Sequence, residues 1–296
     1  MPSGLIIKAL SGYYYVLPDH DQDKIITCRA RGVFKKKEIT PLVGDKVEYE
    51  QREGDEGTIV HVGERHAELI RPPIANVDTA LLVFSLAEPT MNKRLLDKFL
   101  VHVENAGLDA CICLTKSDLI HEDDTVIEEV TAVYSKIGYP IFVTSKEDVT
   151  TVDSLLQSLQ HKIVVLAGQS GVGKSSLINI IHPELKLNTA EISNKLGRGK
   201  HTTRHVELIA LPHGGMIADT PGFSSLDFNQ LEVEDLGDCF KEFRSYTRQC
   251  KFRGCLHVQE PGCKVIEAKD DGEIDATRYE HYIQFITEMN ENKRRY

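Results

Sequence analysis

An eight-residue stretch, GQSGVGKS, has the residue types and the spacing of a phosphate-binding loop. Its pattern is one glycine, four residues, then Gly173-Lys174-Ser175. Glycines at these positions let successive backbone N–H groups point toward phosphate oxygens, while the lysine reaches the β- and γ-phosphates and the hydroxyl binds Mg²⁺. We therefore expect a nucleotide with Mg²⁺ here. The predicted contacts are Gly168, Gln169, Ser170, Gly171, Val172, Gly173, Lys174, Ser175 and Ser176.

Two short polar segments upstream carry residues that could select the base. The first comprises Thr115, Lys116, Ser117 and Asp118. It is close to the Asn/Thr-Lys-x-Asp element of GTPases, whose aspartate accepts hydrogen bonds from the ring N–H and the amine of guanine. Adenine lacks this donor pair and would leave the carboxylate unpaired. Ser145 and Lys146 follow the next apolar run and would add a small-residue loop for the guanine oxygen. Together the two segments favour guanine.

Two loops downstream could sense the γ-phosphate. The segment from Gly197 to Arg204 is polar and rich in glycine. A threonine there could bind Mg²⁺ through its hydroxyl and the γ-phosphate through its N–H. Thr203 is the preferred candidate, and Thr202 is the alternative. Asp219 and Gly222 follow an apolar run in an Asp-x-x-Gly pattern. The Asp219 carboxylate could interact with the groups that surround Mg²⁺, and the Gly222 N–H could donate to the γ-phosphate.

Four residues near the C-terminus have metal-ligand spacing. Cys250, Cys255, His257 and Cys263 form a Cys-x4-Cys-x-His-x5-Cys pattern. Three thiolates and one imidazole make a closed tetrahedral set, so one structural Zn²⁺ is predicted. Basic side chains surround the cluster and are candidate contacts to a phosphate backbone. These are Arg244, Arg248, Lys251, Arg253 and Lys264, with Glu260 as the opposing charge.

The order of these motifs along the chain differs from that of an ordinary GTPase. The two base segments precede the phosphate loop here, and the two switch segments follow it. The second switch therefore leads directly into the C-terminal segment. The sequence predicts a circularly permuted sheet.

Three regions of different character must position these motifs, so a multidomain protein is expected. Residues 1–70 hold about five short β-prone runs separated by turns, which predicts an OB-like β-barrel. In residues 71–225, apolar runs alternate with helical patterns, which predicts a parallel α/β domain carrying the phosphate loop. Residues 226–296 form the predicted α-helical zinc-binding domain, with a C-terminal helix from about Ala276 to Asn290.

The predicted barrel offers a candidate RNA-binding face. A basic cluster lies beside four aromatic residues that could stack on bases. The alternative is a solvated lysine loop beside tyrosines that belong to the core. The basic residues are Arg29, Arg31, Lys35, Lys36 and Lys37, and the aromatic ones are Tyr13, Tyr14, Tyr15 and Phe34.

Composition sets the remaining limits. The chain has 296 residues, seven cysteines and a formal net charge of −10. We find no apolar run of membrane-spanning length and no signal-peptide pattern, so we expect a soluble cytoplasmic protein without a membrane partner. Without a secretory signal, the cysteines are expected to be reduced or metal-bound. The acidic balance argues against wrapping nucleic acid with the whole surface, but it leaves local basic faces possible.

With the barrel, the motif order and the Cys/Cys/His/Cys cluster together, the chain resembles the RsgA family of circularly permuted GTPases, also called YjeQ or YloQ. The resemblance covers essentially the full length and rests most on GQSGVGKS, GRGKHTTRH, DTPGF and the zinc spacing. It implies a bacterial factor that binds GTP and GDP, contacts the small ribosomal subunit and its RNA, and assists late maturation. It also implies that the subunit stimulates hydrolysis. We expect a monomer.

The catalytic machinery has one gap, and two alternative functions stay open. Many GTPases carry a glutamine after Asp-x-x-Gly to orient the attacking water, but this chain has Phe223, so weak intrinsic hydrolysis is expected. The resemblance suggests His201 as the substitute, although His201 could be only a solvated loop residue. The alternatives are an RNA-binding zinc protein without significant turnover and a metabolite kinase. Asp118 and Ser145 speak against the kinase, which would need an adenine site.

Overall fold

The computed structural model describes residues 1–32, 34, 39–52, 54–70, 72–121, 123–146, 150–183, 206–219, 226–229 and 231–295. Residues 219, 294 and 295 are described by their backbone only. Three regions follow one another along this chain: a barrel, a sheet flanked by helices, and a helical C-terminal region. The prediction of this multidomain architecture is confirmed.

The N-terminal region is a closed barrel of five strands in the order β1-β2-β3-β5-β4. β3 and β5 run parallel, and β1 pairs with β4 to close the barrel. Ser11 and Gly12 join β1 to β2 with φ values of 50° and 81°, the left-handed backbone that a two-residue hairpin turn requires. The predicted OB-like barrel is therefore confirmed. The strands are β1 (Ser3–Leu10), β2 (Tyr13–Pro18), β3 (Ile26–Ala30), β4 (Lys46–Gln51) and β5 (Glu56–Val62).

The aromatic face predicted on the barrel is only partly available. Phe34 is 6% exposed and packs in the core, so its predicted role as a stacking residue is wrong. An apolar ring there fills the barrel interior instead of facing solvent. Tyr13 is 36% exposed, and the Arg29 guanidinium lies 4.6 Å from the centre of its ring. The three consecutive lysines, residues 35–37, lie outside the described residues.

A short hairpin joins the barrel to the next region. It consists of β6 (Glu68–Ile70) and β7 (Pro73–Ala75). The carboxylate of Asp45, which is fully buried, accepts two hydrogen bonds of 2.7 Å from the Arg65 guanidinium. The side chain of Asn76 donates to the carbonyl of Gly44 at 2.9 Å. These buried polar contacts hold the base of the barrel against the hairpin.

The central region is a six-stranded sheet in the order β10-β9-β8-β11-β13-β12. All neighbouring pairs are parallel except β12 and β13, which are antiparallel. The sheet buries both faces, as the continuous apolar runs predict. Its strands are β8 (Thr79–Ser85), β9 (Asp109–Thr115), β10 (Ile141–Val143), β11 (Ile163–Ala167), β12 (Leu208–Ala210) and β13 (Met216–Asp219). Its helices are α1 (Lys93–Asn105), α2 (Val126–Ile137), α3 (Thr150–Ser158) and α4 (Lys174–Ile181).

Alternate residues of β8 divide the core between the two faces of the sheet. Leu82 and Phe84 pack in one cluster with apolar residues of α1 and α2. Leu81 and Val83 pack in the other with apolar residues of α3 and α4. Successive strands run from β8 to β9 and β10 on one side, and to β11 and β13 on the other. The strand order thus reverses between β8 and β11, the place where ligands bind in sheets of this kind.

The C-terminal region packs its helices around an aromatic core. Phe240, Phe243, Tyr282 and Phe285 are fully buried, and their rings lie within 6.4 Å of one another in four pairs. The helices are α5 (Arg244–Thr247), α6 (Lys264–Asp270) and α7 (Ala276–Arg295). The last helix is longer than the predicted 276–290 by five residues.

A buried cluster of charges docks this region onto α1. The Arg278 guanidinium, 2% exposed, pairs with Asp97 of α1 and with Glu242 at 2.5 Å. The remaining oxygen of Asp97 lies 2.6 Å from Nδ1 of His281, and the Tyr134 hydroxyl donates to Asp97 at 2.7 Å. Because each buried charge has an opposite partner, the cluster avoids the cost of an isolated ion. The C-terminal region is thereby fixed to the sheet.

A helix that spans a membrane must be both long and apolar. None of the described helices meets both requirements for a membrane span.

Candidate functional site

The phosphate loop lies between the buried strand β11 and the first turn of α4. Gly168, Gly171 and Gly173 have φ values of 145°, 84° and 99°, which only glycine adopts without strain. A Cβ on Gly168 would lie 2.2 Å from the carbonyl oxygen of Val83 in β8, so a side chain there would displace backbone. The sequence folds into this loop because its glycines occur where the chain turns and where it touches β8.

The loop presents backbone to solvent and holds its lysine inward. Gln169, Ser170 and Gly171 are exposed, whereas Val172 is buried. The Lys174 ammonium donates to the carbonyls of Gly168 at 2.7 Å and Gln169 at 2.5 Å. The positive end of α4 and the N–H groups at its start favour an anion at this position. Ser175 and Ser176 lie in that first turn and are half-buried.

The first base segment is tied to the phosphate loop by its threonine. The Thr115 hydroxyl, buried at the end of β9, donates to the carbonyl of Val172 at 2.5 Å. Lys116 has a left-handed backbone with φ of 60°, and its ammonium donates to the carbonyl of Glu88. The Ser117 hydroxyl donates to the carbonyl of Thr144 at 3.3 Å. These bonds join the loops that follow four neighbouring strands, β8, β9, β10 and β11, into one structure.

A small, open pocket lies between the base segments and α4. It contains Thr115, Lys116, Ser145 and Lys146 from the predicted base segments and Gly173 and Ser176 from the phosphate loop. Its apolar walls come from Leu177 and Ile180 of α4. Thr144, which immediately precedes Ser145, also lines it. A planar base fits a pocket with this mixture of apolar wall and polar edge.

The remaining predicted nucleotide contacts fall into two groups. Asp118 lies in a single 3-10 turn, Ser117–Leu119, and its side chain is exposed. The backbone of Asp219 ends β13 in register with Leu166 of β11, which brings it to the sheet edge that carries the phosphate loop. His201, Thr202, Thr203 and Gly222 lie outside the described residues.

The four predicted zinc ligands come together at one point. Their ligand atoms all lie within 4.8 Å of one another. The distance from Cys250 Sγ to Cys263 Sγ is 3.9 Å, and His257 Nδ1 lies 3.7 Å and 3.3 Å from these two sulfurs. A tetrahedral Zn²⁺ with ordinary bond lengths separates two sulfurs by about 3.8 Å. The donor set and its spacing therefore fit one zinc ion, and the prediction of a cluster that could hold zinc is confirmed.

Three side chains support the loop that carries the ligands. The Glu260 carboxylate accepts hydrogen bonds from the backbone N–H groups of Leu256, Val258 and Gln259 at 2.7, 2.8 and 3.0 Å. The hydroxyls of Tyr279 and Tyr282 donate to carbonyls of the same loop at 2.7 and 2.6 Å. Sequence analysis identified Glu260 only as an opposing charge, because its spacing does not indicate that its carboxylate would bind the backbone of this loop.

Burial favours the metal-binding form of the histidine ligand. Desolvation lowers the pKa of His257, although the nearby carboxylates of Glu260 and Asp238 raise it. The imidazole is therefore neutral at pH 7, the form that binds a metal. Desolvation on its own would raise the pKa of Glu260, but the hydrogen bonds from backbone N–H groups lower it overall. The loop is thus held by a charged carboxylate.

The basic surface around the cluster is smaller than the sequence suggests. Arg244 pairs with Glu104 at 2.7 Å, and Lys264 pairs with Glu267. Arg248, Lys251 and Arg253 are exposed. The Lys251 ammonium lies 5.4 Å from the centre of the Phe252 ring, which is 46% exposed. The exposed part of this patch therefore combines cations with one aromatic face.

Comparison with known proteins agrees with this architecture. The model of the family described as RsgA GTPase matches residues 62–229, and the RsgA N-terminal domain matches residues 3–59. The small ribosomal subunit biogenesis GTPase RsgA of Bacillus subtilis is 54% identical over 299 residues, covering 100% of both chains. The protein of the same name from Geobacillus kaustophilus is 51% identical with the same coverage.

Solved structures give the same result. The crystal structure of YloQ, a circularly permuted GTPase, is similar with a TM-score of 0.85 and 48% identity, covering 99% of this chain and 96% of that one. YjeQ from Thermotoga maritima has a TM-score of 0.85 and 37% identity, covering 97% and 98%. Sequence, motif order and fold agree over the whole length, and the chain belongs to the RsgA GTPase family.

Proposed function

We propose that this protein hydrolyses GTP and binds the small ribosomal subunit to assist its late maturation. The observation that carries the GTP site is the bond from the Thr115 hydroxyl to the carbonyl of Val172, because it joins the base segment to the phosphate loop. A pocket open to both segments lies beside that bond. One bound nucleotide would thus contact both segments at once.

The base and the phosphates would be held by different parts of the pocket. Asp118 would accept from the guanine ring N–H and amine, Lys116 would cover the base plane, and Ser145 would contribute its backbone N–H. Lys174 would turn from the loop carbonyls toward the β- and γ-phosphates. Because Asp118 is exposed in the structure, pairing with guanine is expected to bury it.

The Mg²⁺ ion would lie at the start of α4. The Ser175 hydroxyl and the hydroxyl of Thr203 or Thr202 would hold it, with Asp219 close by. When bound, Mg²⁺ neutralises charge that develops on the phosphate oxygens. This chain contributes the hydroxyls, the Lys174 ammonium and the N–H groups of the phosphate loop. They orient the triphosphate and stabilise its negative charge.

Activation of the attacking water is proposed for His201. Phe223 occupies the place of the usual glutamine and has no group that accepts a proton. A histidine near the γ-phosphate could accept the proton from water at neutral pH. Contact with the subunit would order the first switch and bring His201 to the water. Hydrolysis would therefore be slow in the free protein and faster on its partner.

The subunit as partner is supported by the names of the curated relatives and by two surfaces. The relatives are small ribosomal subunit biogenesis GTPases. On this chain, Tyr13 with Arg29, and Phe252 with Lys251, pair an exposed aromatic ring with a cation. Such pairs can stack on bases and contact phosphates of ribosomal RNA.

The remaining assignments are part of the same proposal. The domains would span residues 1–70, 71–225 and 226–296, the last holding one structural Zn²⁺. The protein would act as a monomer in the cytoplasm and bind GTP and GDP there. Mg²⁺ would bind together with GTP.

The test is the rate of GTP hydrolysis with and without purified small ribosomal subunits. We expect slow turnover alone and a marked increase with subunits. Large subunits serve as the control and should give no increase. His201→Ala should lose the increase while keeping GDP affinity. Equal rates with and without small subunits would contradict the proposed partner, and absence of hydrolysis in both would favour an RNA-binding zinc protein without turnover.

A further inference from the structure

A buried hydroxyl at the nucleotide site has no assigned partner. Ser85 ends β8 and is 2% exposed, yet its Oγ makes no hydrogen bond to any residue that the structure describes. A buried hydroxyl left without a partner destabilises the folded protein. Since almost all such groups are satisfied in folded proteins, an exception needs a physical reason.

The position of Ser85 points to the phosphate loop. Ser85 is in register with Thr115 of the neighbouring parallel strand, so the two side chains share one face of the sheet. Along β8 the same face carries Leu81 and Val83, which pack against α4. The hydroxyl of Thr115 already donates to the loop carbonyl of Val172. Ser85 is thus the next hydroxyl on the face that the phosphate loop covers.

The other neighbour of β8 brings the start of that loop alongside Ser85. β11 pairs with β8 from Val164 to Ala167, with Ala167 opposite Leu82. The residues after Ala167 therefore run beside the last residues of β8, and Gly168 packs directly on the carbonyl of Val83. The register therefore places the start of the phosphate loop, Gly168 onward, beside the end of β8 that carries Ser85.

We infer that Ser85 is a positioning residue of the nucleotide site, whose hydroxyl gains a hydrogen bond to the phosphate-loop backbone when a nucleotide is bound. The Lys174 ammonium is held by the carbonyls of Gly168 and Gln169. Turning Lys174 toward phosphate releases those carbonyls, and the Ser85 hydroxyl can donate to one of them. The inference rests on the proposed nucleotide site and adds a residue that stabilises its occupied form.

The chain offers a matched control on the same strand. Thr79 begins β8, is 2% exposed, and its Oγ1 also lacks a hydrogen bond among the described residues. The two residues are an even number of positions apart and lie on the same face, about 20 Å from each other. Thr79 therefore shares the burial and the missing partner of Ser85 but not its place beside the phosphate loop.

The test compares Ser85→Ala with Thr79→Val in the full chain, by GDP affinity and by thermal unfolding with and without GDP. We expect Ser85→Ala to weaken GDP binding about tenfold, the effect of one lost hydrogen bond. Its unfolding temperature without GDP should be unchanged or higher, because a buried unpaired hydroxyl is removed. The rise on adding GDP should shrink. Thr79→Val should leave GDP affinity unchanged.

Two results would overturn the inference. One is GDP affinity of Ser85→Ala within twofold of the unaltered protein. The other is an equal fall of the unfolding temperature with and without GDP, which indicates a general packing role. Should Ser85→Ala fail to fold, Ser85→Cys, which keeps the size with a weaker donor, gives the same comparison. Failure of the unaltered protein to bind GDP would instead contradict the proposed function.

Discussion

The zinc cluster and the nucleotide pocket are built in opposite ways. The zinc ligands come from a stretch in which Cys250 and Cys263 are 13 residues apart, and a carboxylate and two tyrosines hold that stretch in place. The nucleotide pocket joins Thr115 to Val172, 57 residues away, through the order of the strands. The first site is local in sequence, whereas the second depends on the order of the strands in the sheet to bring its loops together.

The largest expected effect is the loss of zinc. Structural zinc contributes about 10–16 kcal/mol of apparent binding free energy in small domains. Cys263→Ser should therefore lose the metal and destabilise the C-terminal region, while GDP binding at the sheet should persist. Bound zinc per chain, circular dichroism and GDP affinity measure the three expectations. Loss of GDP binding together with the metal would show that the two sites are not independent.

The docking of the C-terminal region on α1 gives the next largest effect. Arg278→Met leaves Asp97 and Glu242 buried with no cation between them, which should cost about 3–5 kcal/mol. Urea unfolding measures this loss. The control is Lys136→Ala, which breaks an exposed pair with Glu273 in the same interface and should cost less than about 1 kcal/mol. Equal effects of the two variants would contradict the importance of the buried cluster.

The support of the zinc loop gives a smaller effect. Glu260→Ala removes the acceptor for three backbone N–H groups and should weaken zinc binding about 10- to 100-fold, as loss of groups behind metal ligands does. Competition with a coloured chelator measures the affinity. Glu260→Gln keeps one acceptor oxygen, so its zinc affinity should lie between those of Glu260→Ala and the unaltered protein. Zinc affinity equal to that of the unaltered protein would mean that the thiolates alone fix the loop.

The bond between the base segment and the phosphate loop gives the smallest effect on stability. Thr115→Val keeps the shape but leaves the Val172 carbonyl without its donor, a loss of about 1 kcal/mol. GDP affinity should fall by up to about tenfold, since the ligand must then align the two loops itself. Isothermal titration calorimetry measures it. Unchanged affinity would mean that the sheet alone fixes both loops.

Much of this architecture could be predicted from the sequence because its signals are local. The apolar runs became the buried strands β8, β9 and β11, and the spacing of cysteines and histidine became a compact ligand set. The motif order predicted the permutation. In each case a short pattern determines the structure that forms, and distant residues change it little.

The rest depends on contacts between distant residues. Asp97 and Arg278 are 181 residues apart, and each looks in the sequence like an ordinary charge on a helix surface. Phe34 lies beside a run of lysines in the sequence, which suggested an exposed ring, but its side chain is buried in the core. Ser85 ends an apolar run like any small residue, and only the strand order reveals its place beside the phosphate loop.

The most direct test of the account is base selectivity, because it asks whether the permuted loops form one guanine site. Affinities for GDP, ADP and xanthosine diphosphate would be measured for the unaltered protein and for Asp118→Asn. We expect the unaltered protein to prefer GDP strongly. The variant should lose affinity for GDP and gain affinity for xanthosine diphosphate. The reason is that position 118 then carries an amide, which can donate to the ring carbonyl that replaces the guanine amine. Equal binding of ADP and GDP, or unchanged GDP affinity in the variant, would contradict the account.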